Sequence, residues 1–325
     1  MFGPIDVARS ILLLASSAVL CRCLTFTGPG TTPDLEVIFK GRCAEYIGGH
    51  VYPHVDSEEL RTKNCTLLWE LFLEAFVYRD PCNVTLDMYA DFVNEAATSI
   101  PANQAVYWDG FDVYSDVRSY VNDGHRGLTL EFTLVGYIMN GYLYFCGQTE
   151  YPGIKYDSCP QKGDCGGDFP EGSIDAFWAA ASVYFGKYGA GKVKFIVNSN
   201  RPGGAFHTND SFFAQYEVVN MDSSKISLME IYIITFLEET PGETCESQSI
   251  ETLRSMLDDR GISSTCTLQP EDVLHMFCAD NPTAKDCAFA ASQSSKKALR
   301  HEISRIGMAF GAVFVYIFHV KSISL

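Results

Sequence analysis

The chain has 325 residues, 47% of them hydrophobic, and a formal net charge of −16 from 40 acidic and 24 basic side chains. That length and apolar content suffice to bury a sizeable core in one large domain or two lobes, which excludes a disordered chain. The acidity repels phosphate backbones and anionic headgroups, and the longest basic run is the pair Lys296 and Lys297, so nucleic acid is excluded as an expected partner.

Residues 1–23, MFGPIDVARSILLLASSAVLCRC, place one arginine before an apolar stretch from Ile11 to Leu20 and then small residues. This is the pattern of a secretory signal peptide, too short to span a bilayer and cleaved near residues 20–24. Removing Cys21 and Cys23 with it leaves ten of the twelve cysteines. An even count in an exported chain argues for five disulfides. Spacings such as Cys159 to Cys165 and Cys278 to Cys287 lack the paired CxxC of a zinc site. Sequons at Asn64, Asn83 and Asn209 fit the same secretory route.

After a Gly/Pro/Thr leader, residues 34–135 read as mostly helical. CTLLWELFLEAFVY (65–78) places Leu68, Phe72, Ala75 and Phe76 on one side, and TLDMYADFVNEAA (85–97) opens with Thr85 as an expected N-cap. The Gly-, Cys- and Pro-rich region 140–172 reads as a cross-linked loop. SIDAFWAAASVYFGKY (173–188) reads as a helix capped by Ser173. Strands are expected over 192–198, over 213–219 (FAQYEVV) and over 225–237, followed by a helix over 249–261 that Gly261 stops. Near-continuous apolar runs such as MEIYIITFL suit strands covered on both faces, hence a partly parallel sheet. The expected architecture is a helical lobe, mainly 34–135, and an α/β lobe, mainly 173–290.

Toward the end, small residues at 290–295 and the polar spacer KKALRHEISR precede about 15 apolar residues. A spanning helix needs about 20. The order of small site, spacer and short tail favours a glycosylphosphatidylinositol (GPI) signal over a single-pass anchor, with attachment near Ser292 to Ser295. The expected organisation is therefore a signal at 1–23, a body at 24–293 and a GPI-attachment propeptide at 294–325, with the body outside the cell.

GxSxG, HExxH, a Walker loop and GxGxxG after a strand are all missing, and the seven histidines lack metal spacing. GDCGGDF (163–169) surrounds a cysteine and reads as a disulfide loop. What remains is aromatic and acidic. Trp69 belongs to the core of an amphipathic helix. Trp108, before turn-prone Asp109 and Gly110, marks the end of an element where an indole can face a cleft. Trp178 is one large ring in an Ala-rich helix. Glu131 and Glu217 each interrupt an apolar run, and the ordinary alternative for each is a solvated strand edge.

The blocks GRCAEYI (41–47), LWELFLEAFVYRDPC (68–82), YWDG (107–110), LTLEFTLVGY (128–137), FCGQ (145–148), SCPQKGDC (158–165), AFWAAAS (176–182), DSFFAQYEVVN (210–220) and FCADNPTAKDC (277–287) occur in the order found in the ADP-ribosyl cyclases, also called NAD glycohydrolases or cyclic ADP-ribose hydrolases. The chain resembles that family over roughly 34–290. The resemblance implies a two-lobed α+β fold with a mainly parallel four-stranded sheet flanked by helices. It also implies the bridges Cys43 to Cys65, Cys82 to Cys165, Cys146 to Cys159, Cys245 to Cys266 and Cys278 to Cys287.

For chemistry, the resemblance implies cleavage of the nicotinamide–ribose bond of NAD(P)+, with the dinucleotide as substrate and with neither cofactor nor metal. The family's catalytic glutamate matches Glu217, its two cleft tryptophans match Trp108 and Trp178, and the acid of its TLE signature matches Glu131. Asp109, Ser211, Phe212 and Phe213 are the expected substrate-binding residues. Phe212 is aromatic where some hydrolase-type relatives carry Thr, which favours cyclisation. Departures are Phe132 where the family usually has Asp, Asp109 where it usually has a phosphate-holding Ser, and an extra residue near Asn140. Hydrolysis to ADP-ribose is the expected main outcome, with cyclase and base-exchange activity beside it. The alternatives are a predominant cyclase and a catalytically silent surface glycoprotein. Expected partners are NAD(P)+ and the outer leaflet through the GPI anchor, with a homodimer among the oligomeric states left open.

Overall fold

The computed structural model describes residues 26–49, 57–167 and 170–288. The expected signal peptide, the GPI propeptide and the two cysteines of the leader lie outside the described residues. Short helices fill most of the first half: α1 (Leu35–Ile47), α2 (Ser57–Arg61), α3 (Cys65–Glu74), α4 (Ala90–Ala96), α5 (Tyr114–Arg118) and α6 (Leu134–Met139). Few of them are long enough to persist alone, and packing of their apolar faces holds them. Phe72 stands at the centre of that packing. Its ring is fully buried and lies 4.9 to 6.1 Å from those of Phe39, Phe76, Tyr89, Phe92, Phe145 and Phe177. Trp69 packs into the same cluster, 5.2 Å from Phe39, as a core tryptophan.

The second half contributes the long helix α7 (Gly172–Tyr188), strands β2 (Gly191–Asn198), β3 (Ile226–Ile234) and β4 (Ser264–Leu268), and helices α8 (Gln248–Asp259) and α9 (Glu271–Asp280). The sheet has four parallel strands in the order β1-β2-β3-β4, and its edge strand β1 (Val106–Trp108) comes from the helical half. Val106, Tyr107 and Trp108 pair with Lys194, Phe195 and Ile196, so the stretch expected to be mostly helical is sewn into the sheet of the other half. Three residues are too few to show a period, which is why β1 did not stand out. β3 pairs on both sides, and its apolar run fits a strand inside a sheet.

Two expected caps differ. Thr85 precedes a 3-10 turn over Leu86–Tyr89 with no side-chain cap, and α4 begins only at Ala90. Ser173 lies inside α7, because the Asp175 carboxylate accepts the Glu171 N–H at 3.2 Å and starts the helix earlier. A larger correction concerns 213–219. This segment is not a strand: Phe213–Glu217 forms a π-helical turn and Val218–Asn220 a 3-10 turn. Ser211 explains it, since its hydroxyl accepts the Ala214 N–H at 3.1 Å and its carbonyl accepts the Gln215 N–H at 3.0 Å, which commits the segment to helical geometry.

All five implied disulfides form: Cys43–Cys65, Cys82–Cys165, Cys146–Cys159, Cys245–Cys266 and Cys278–Cys287. Cys82–Cys165 closes the longest loop, with a sequence separation of 83, and ties the helical half to the approach of α7. On chain entropy such a closure stabilises the fold by about 4 to 5 kcal/mol. Asn64, Asn83 and Asn209 are exposed, and Asn64 also caps α3 by accepting the Thr66 N–H at 2.9 Å through Oδ1, which leaves its nitrogen unused by the cap.

Phe72→Ala removes the hub of the aromatic cluster. It is expected to lower stability by about 3 to 5 kcal/mol, read from the midpoint of chemical denaturation with disulfides intact.

Candidate active site

Parallel sheets bind ligands beyond the carboxyl ends of their strands. Here β1 ends at Trp108 and β2 at Asn198, and the π-helical turn lies in the crossover from β2 to β3. That turn packs on α7. Trp178, Ser182 and Gly186 are spaced by four on α7 and share one face. A Cβ on Gly186 would sit 2.3 Å from the Glu217 carbonyl oxygen, so only glycine lets the turn approach this closely. One turn along, the Ser182 hydroxyl donates to Glu217 Oε1 at 3.1 Å. Glu217 is 6% exposed. The π geometry adds a residue to the turn and re-aims its last side chain inward.

A second carboxylate faces the first. Glu131, 9% exposed, sits on the 3-10 turn Leu130–Phe132 and accepts the Trp108 indole N–H at 3.3 Å. Tyr114 packs on the Trp108 ring at 5.3 Å, so the indole is held from two sides. Burial pushes the Glu217 carboxyl well above its ordinary value of 4.5, the Glu131 charge pushes it further, Ser182 pulls it back and Asp109 adds a small upward push. Glu131 is also raised by burial, opposed by hydrogen bonds from the Thr129 hydroxyl, its own backbone and Trp108. Two anions in one low-dielectric pocket cannot both ionise cheaply unless a cation enters.

The expected site residues do not all lie together. Glu217, Glu131, Trp108 and Asp109 converge through direct hydrogen bonds and charge coupling. Trp178, half-buried, stands one helical turn from Ser182 and packs edge-on to Phe177 at 5.2 Å. Ser211 is buried and hydrogen-bonded to Asp109. Phe213 is a core residue: its ring is 1% exposed and stacks on Phe195 at 3.9 Å, anchoring the π turn to β2. Phe212, next to it, is half-buried, 6.1 Å from the Tyr216 ring.

Ser182, Gly186 and Arg201 were not foreseen. For Ser182 a signal existed, since it lies four residues past Trp178 on an expected helix. Arg201 stands in a turn, NSNRPGG, whose sequence carries no sign that Asp109 is 2.6 Å from its guanidinium. Among the described residues no group of three or more His, Cys, Asp or Glu is arranged to hold a metal ion. No helix among them is long and apolar enough to cross a membrane.

The family model for ADP-ribosyl cyclase matches residues 32–287. The chain belongs to the ADP-ribosyl cyclase family. It is 33% identical over 273 residues to human ADP-ribosyl cyclase/cyclic ADP-ribose hydrolase 2, a match covering 83% of this chain and 81% of that protein. The crystal structure of Aplysia cyclase complexed with substrate NGD and product cGDPR superimposes with a TM-score of 0.68 at 32% identity, covering 79% of this chain and 98% of that one. Porcine CD38 complexed with a covalent intermediate superimposes with a TM-score of 0.66 at 27% identity, covering 75% and 99%. This member of the ADP-ribosyl cyclase family is accordingly an enzyme of the ADP-ribosyl cyclase/cyclic ADP-ribose hydrolase type.

The raised Glu217 carboxyl makes this cyclase-family fold sensitive to pH. Between the ordinary value of 4.5 and the raised folded value, the unfolded chain releases this proton and the folded chain keeps it. Stability from this group is therefore full below about 4.5 and is lost as pH rises through the folded pKa. Glu217→Gln escapes that loss. In differential scanning calorimetry the variant is expected to melt above wild type at pH 8, with the gap closing toward pH 4.

Proposed function

We propose that the chain is an extracellular NAD(P)+ glycohydrolase that releases nicotinamide and ADP-ribose, with cyclisation and base exchange as side reactions. The observation that carries this reading is the coupled, buried carboxylate pair Glu217 and Glu131 beside the Trp108 indole. In NAD(P)+ the pyridinium is cationic and departs as a neutral base, so no general acid is required. What the reaction needs is an anion near the ribose carbon as positive charge grows there. Glu217 supplies it, by charge or by covalent capture.

The raised pKa and the need for an anion are reconciled by the substrate. A pyridinium entering between the two carboxylates relieves the repulsion that keeps a proton on the pair, so a cationic ligand selects the ionised state. Trp108 and Trp178 offer flat, electron-rich faces for stacking on that ring. Glu131, which also orients Trp108, sits at the nicotinamide end and biases whether water or the adenine captures the ribosyl intermediate. Neither cofactor nor metal enters this scheme. The reading extends to secretion, glycans at Asn64, Asn83 and Asn209, a GPI anchor on the outer leaflet and, as one assembly state, a homodimer.

A second reading, a predominant cyclase producing cyclic ADP-ribose, is favoured by the Phe212 ring beside Tyr216, which adds aromatic surface for holding adenine near the ribose. The two readings part on products. Chromatography of the products from NAD+ and from its guanine analogue is expected to yield mainly the linear nucleotide from NAD+; a dominant cyclic product would replace hydrolase with cyclase. A catalytically silent scaffold turns over neither.

A carboxylate about 4 Å from a developing cation is worth about 4 kcal/mol at an effective dielectric near 20, or about a thousandfold in rate. Glu217→Gln is therefore expected to lower kcat on an etheno-NAD+ reporter about a thousandfold, with a much smaller change in KM. Retention of wild-type kcat removes Glu217 from the chemistry.

A further inference from the structure

Asp109 follows Trp108 at the end of β1, where an acid beside a phosphate-bearing substrate looks out of place. Its surroundings resolve the conflict. Asp109 Oδ2 accepts from Arg201 Nη1 at 2.6 Å, in an ion pair whose side chains are 9% and 13% exposed respectively. Burial raises the Asp109 carboxyl above its ordinary value, and the Arg201 charge and hydrogen bond, the Ser211 hydroxyl and the His207 charge each oppose that rise. Asp112, close to the neighbouring Gly110 turn, accepts from Asn198 Nδ2 through Oδ2 at 2.6 Å.

Arg201 is placed firmly. Its loop leaves β2 at Asn198, and a little further on Ala205 donates its N–H to Glu243 Oε2 at 2.7 Å. Its side chain runs across the Gly110 backbone, where a Cβ would stand 3.3 Å from both Arg201 Cδ and Nε. At that glycine φ is +97°, a conformation a substituted residue resists. A guanidinium carries five N–H donors in a planar fork, and Asp109 takes one. No nitrogen of Arg201 is both sealed from solvent and without a partner, so the donors that Asp109 does not take reach solvent beside the end of β1.

We propose that Arg201, clamped by Asp109, is the phosphate-holding cation of this cleft and takes the pyrophosphate of a dinucleotide substrate. The inference rests on the functional reading above and deepens it. Asp109 is then a positioning residue. It orients the fork, and the Arg201 charge offsets its own, which weakens its repulsion of the phosphates. A planar guanidinium fork matches phosphate oxygens two at a time. The consequence is selectivity for pyrophosphate-bearing substrates over a phosphate-free nucleoside carrying the same pyridinium.

The test compares the D109S and D109S/R201Q variants of the full chain, so that no orphaned carboxylate is buried in either. Nicotinamide release is measured from NAD+ and from nicotinamide riboside, and ADP-ribose binding by calorimetry. Removing Arg201 is expected to lower kcat/KM for NAD+ by about 10- to 100-fold, the range of a charge-assisted hydrogen bond, mostly through KM. ADP-ribose affinity falls in parallel, and the riboside, which also reports folding, changes less than about threefold. Unchanged kcat/KM for NAD+ with unchanged ADP-ribose binding overturns the proposal, as does an equal loss on both substrates with ADP-ribose binding intact. If wild type releases nicotinamide from neither substrate, the functional reading fails, and ADP-ribose binding alone then decides whether Arg201 holds phosphate.

Discussion

Everything in the cleft depends on keeping two carboxylates buried and close enough to feel each other. Burial drives Glu217 and Glu131 toward their neutral acids, and the Glu131 charge raises the cost of ionising Glu217 further. The fold answers with sparse counterweights: one serine hydroxyl on Glu217, and the Thr129 hydroxyl, the backbone N–H of Glu131 itself and one indole N–H on Glu131. These are too few to stabilise both charges outright. Both carboxyls are consequently costly to ionise, and a cation brought beside them lowers that cost.

That constraint explains why so much of the scaffold serves one turn. The approach of α7 to the π turn requires Gly186, because any side chain there would collide with the Glu217 backbone. Ser182 on the same face then reaches the carboxylate, and the stacked pair Phe213 and Phe195 fixes the far side of the turn to β2. Behind α7, the Phe72 cluster supports the helix through Phe177, the neighbour of Trp178. Core packing and cleft geometry are thus continuous, and the disulfide Cys82–Cys165 holds the approach of α7 to the helical half.

The cleft edge follows the same logic with the opposite emphasis. Asp109 and Arg201 attract one another across 2.6 Å, whereas the Glu131 charge raises the cost of ionising Glu217. A balanced pair beside an unbalanced one suits a substrate that is cationic at one end and anionic in the middle.

Much of this was readable from the residues. The cysteine framework, the tryptophan at the end of an element, the continuous apolar runs of a parallel sheet and the two acids interrupting apolar stretches each carry a local signature, and the ordered blocks carry the family. The π turn was misread because FAQYEVV is apolar and β-branched at its end, and a single buried hydroxyl at Ser211 outweighs that pattern. β1 was too short to announce itself. Sequence by itself determined which chemical groups were available and the family to which they belong, since those depend on composition and spacing along the chain. Only the tertiary structure decided which buried charges feel one another, that Asp109 pairs with a residue 92 positions away, and that Phe213 stacks on Phe195 while Glu217 meets Ser182. The energy of a buried charge is set by what surrounds it in space, and chain order does not encode that neighbourhood.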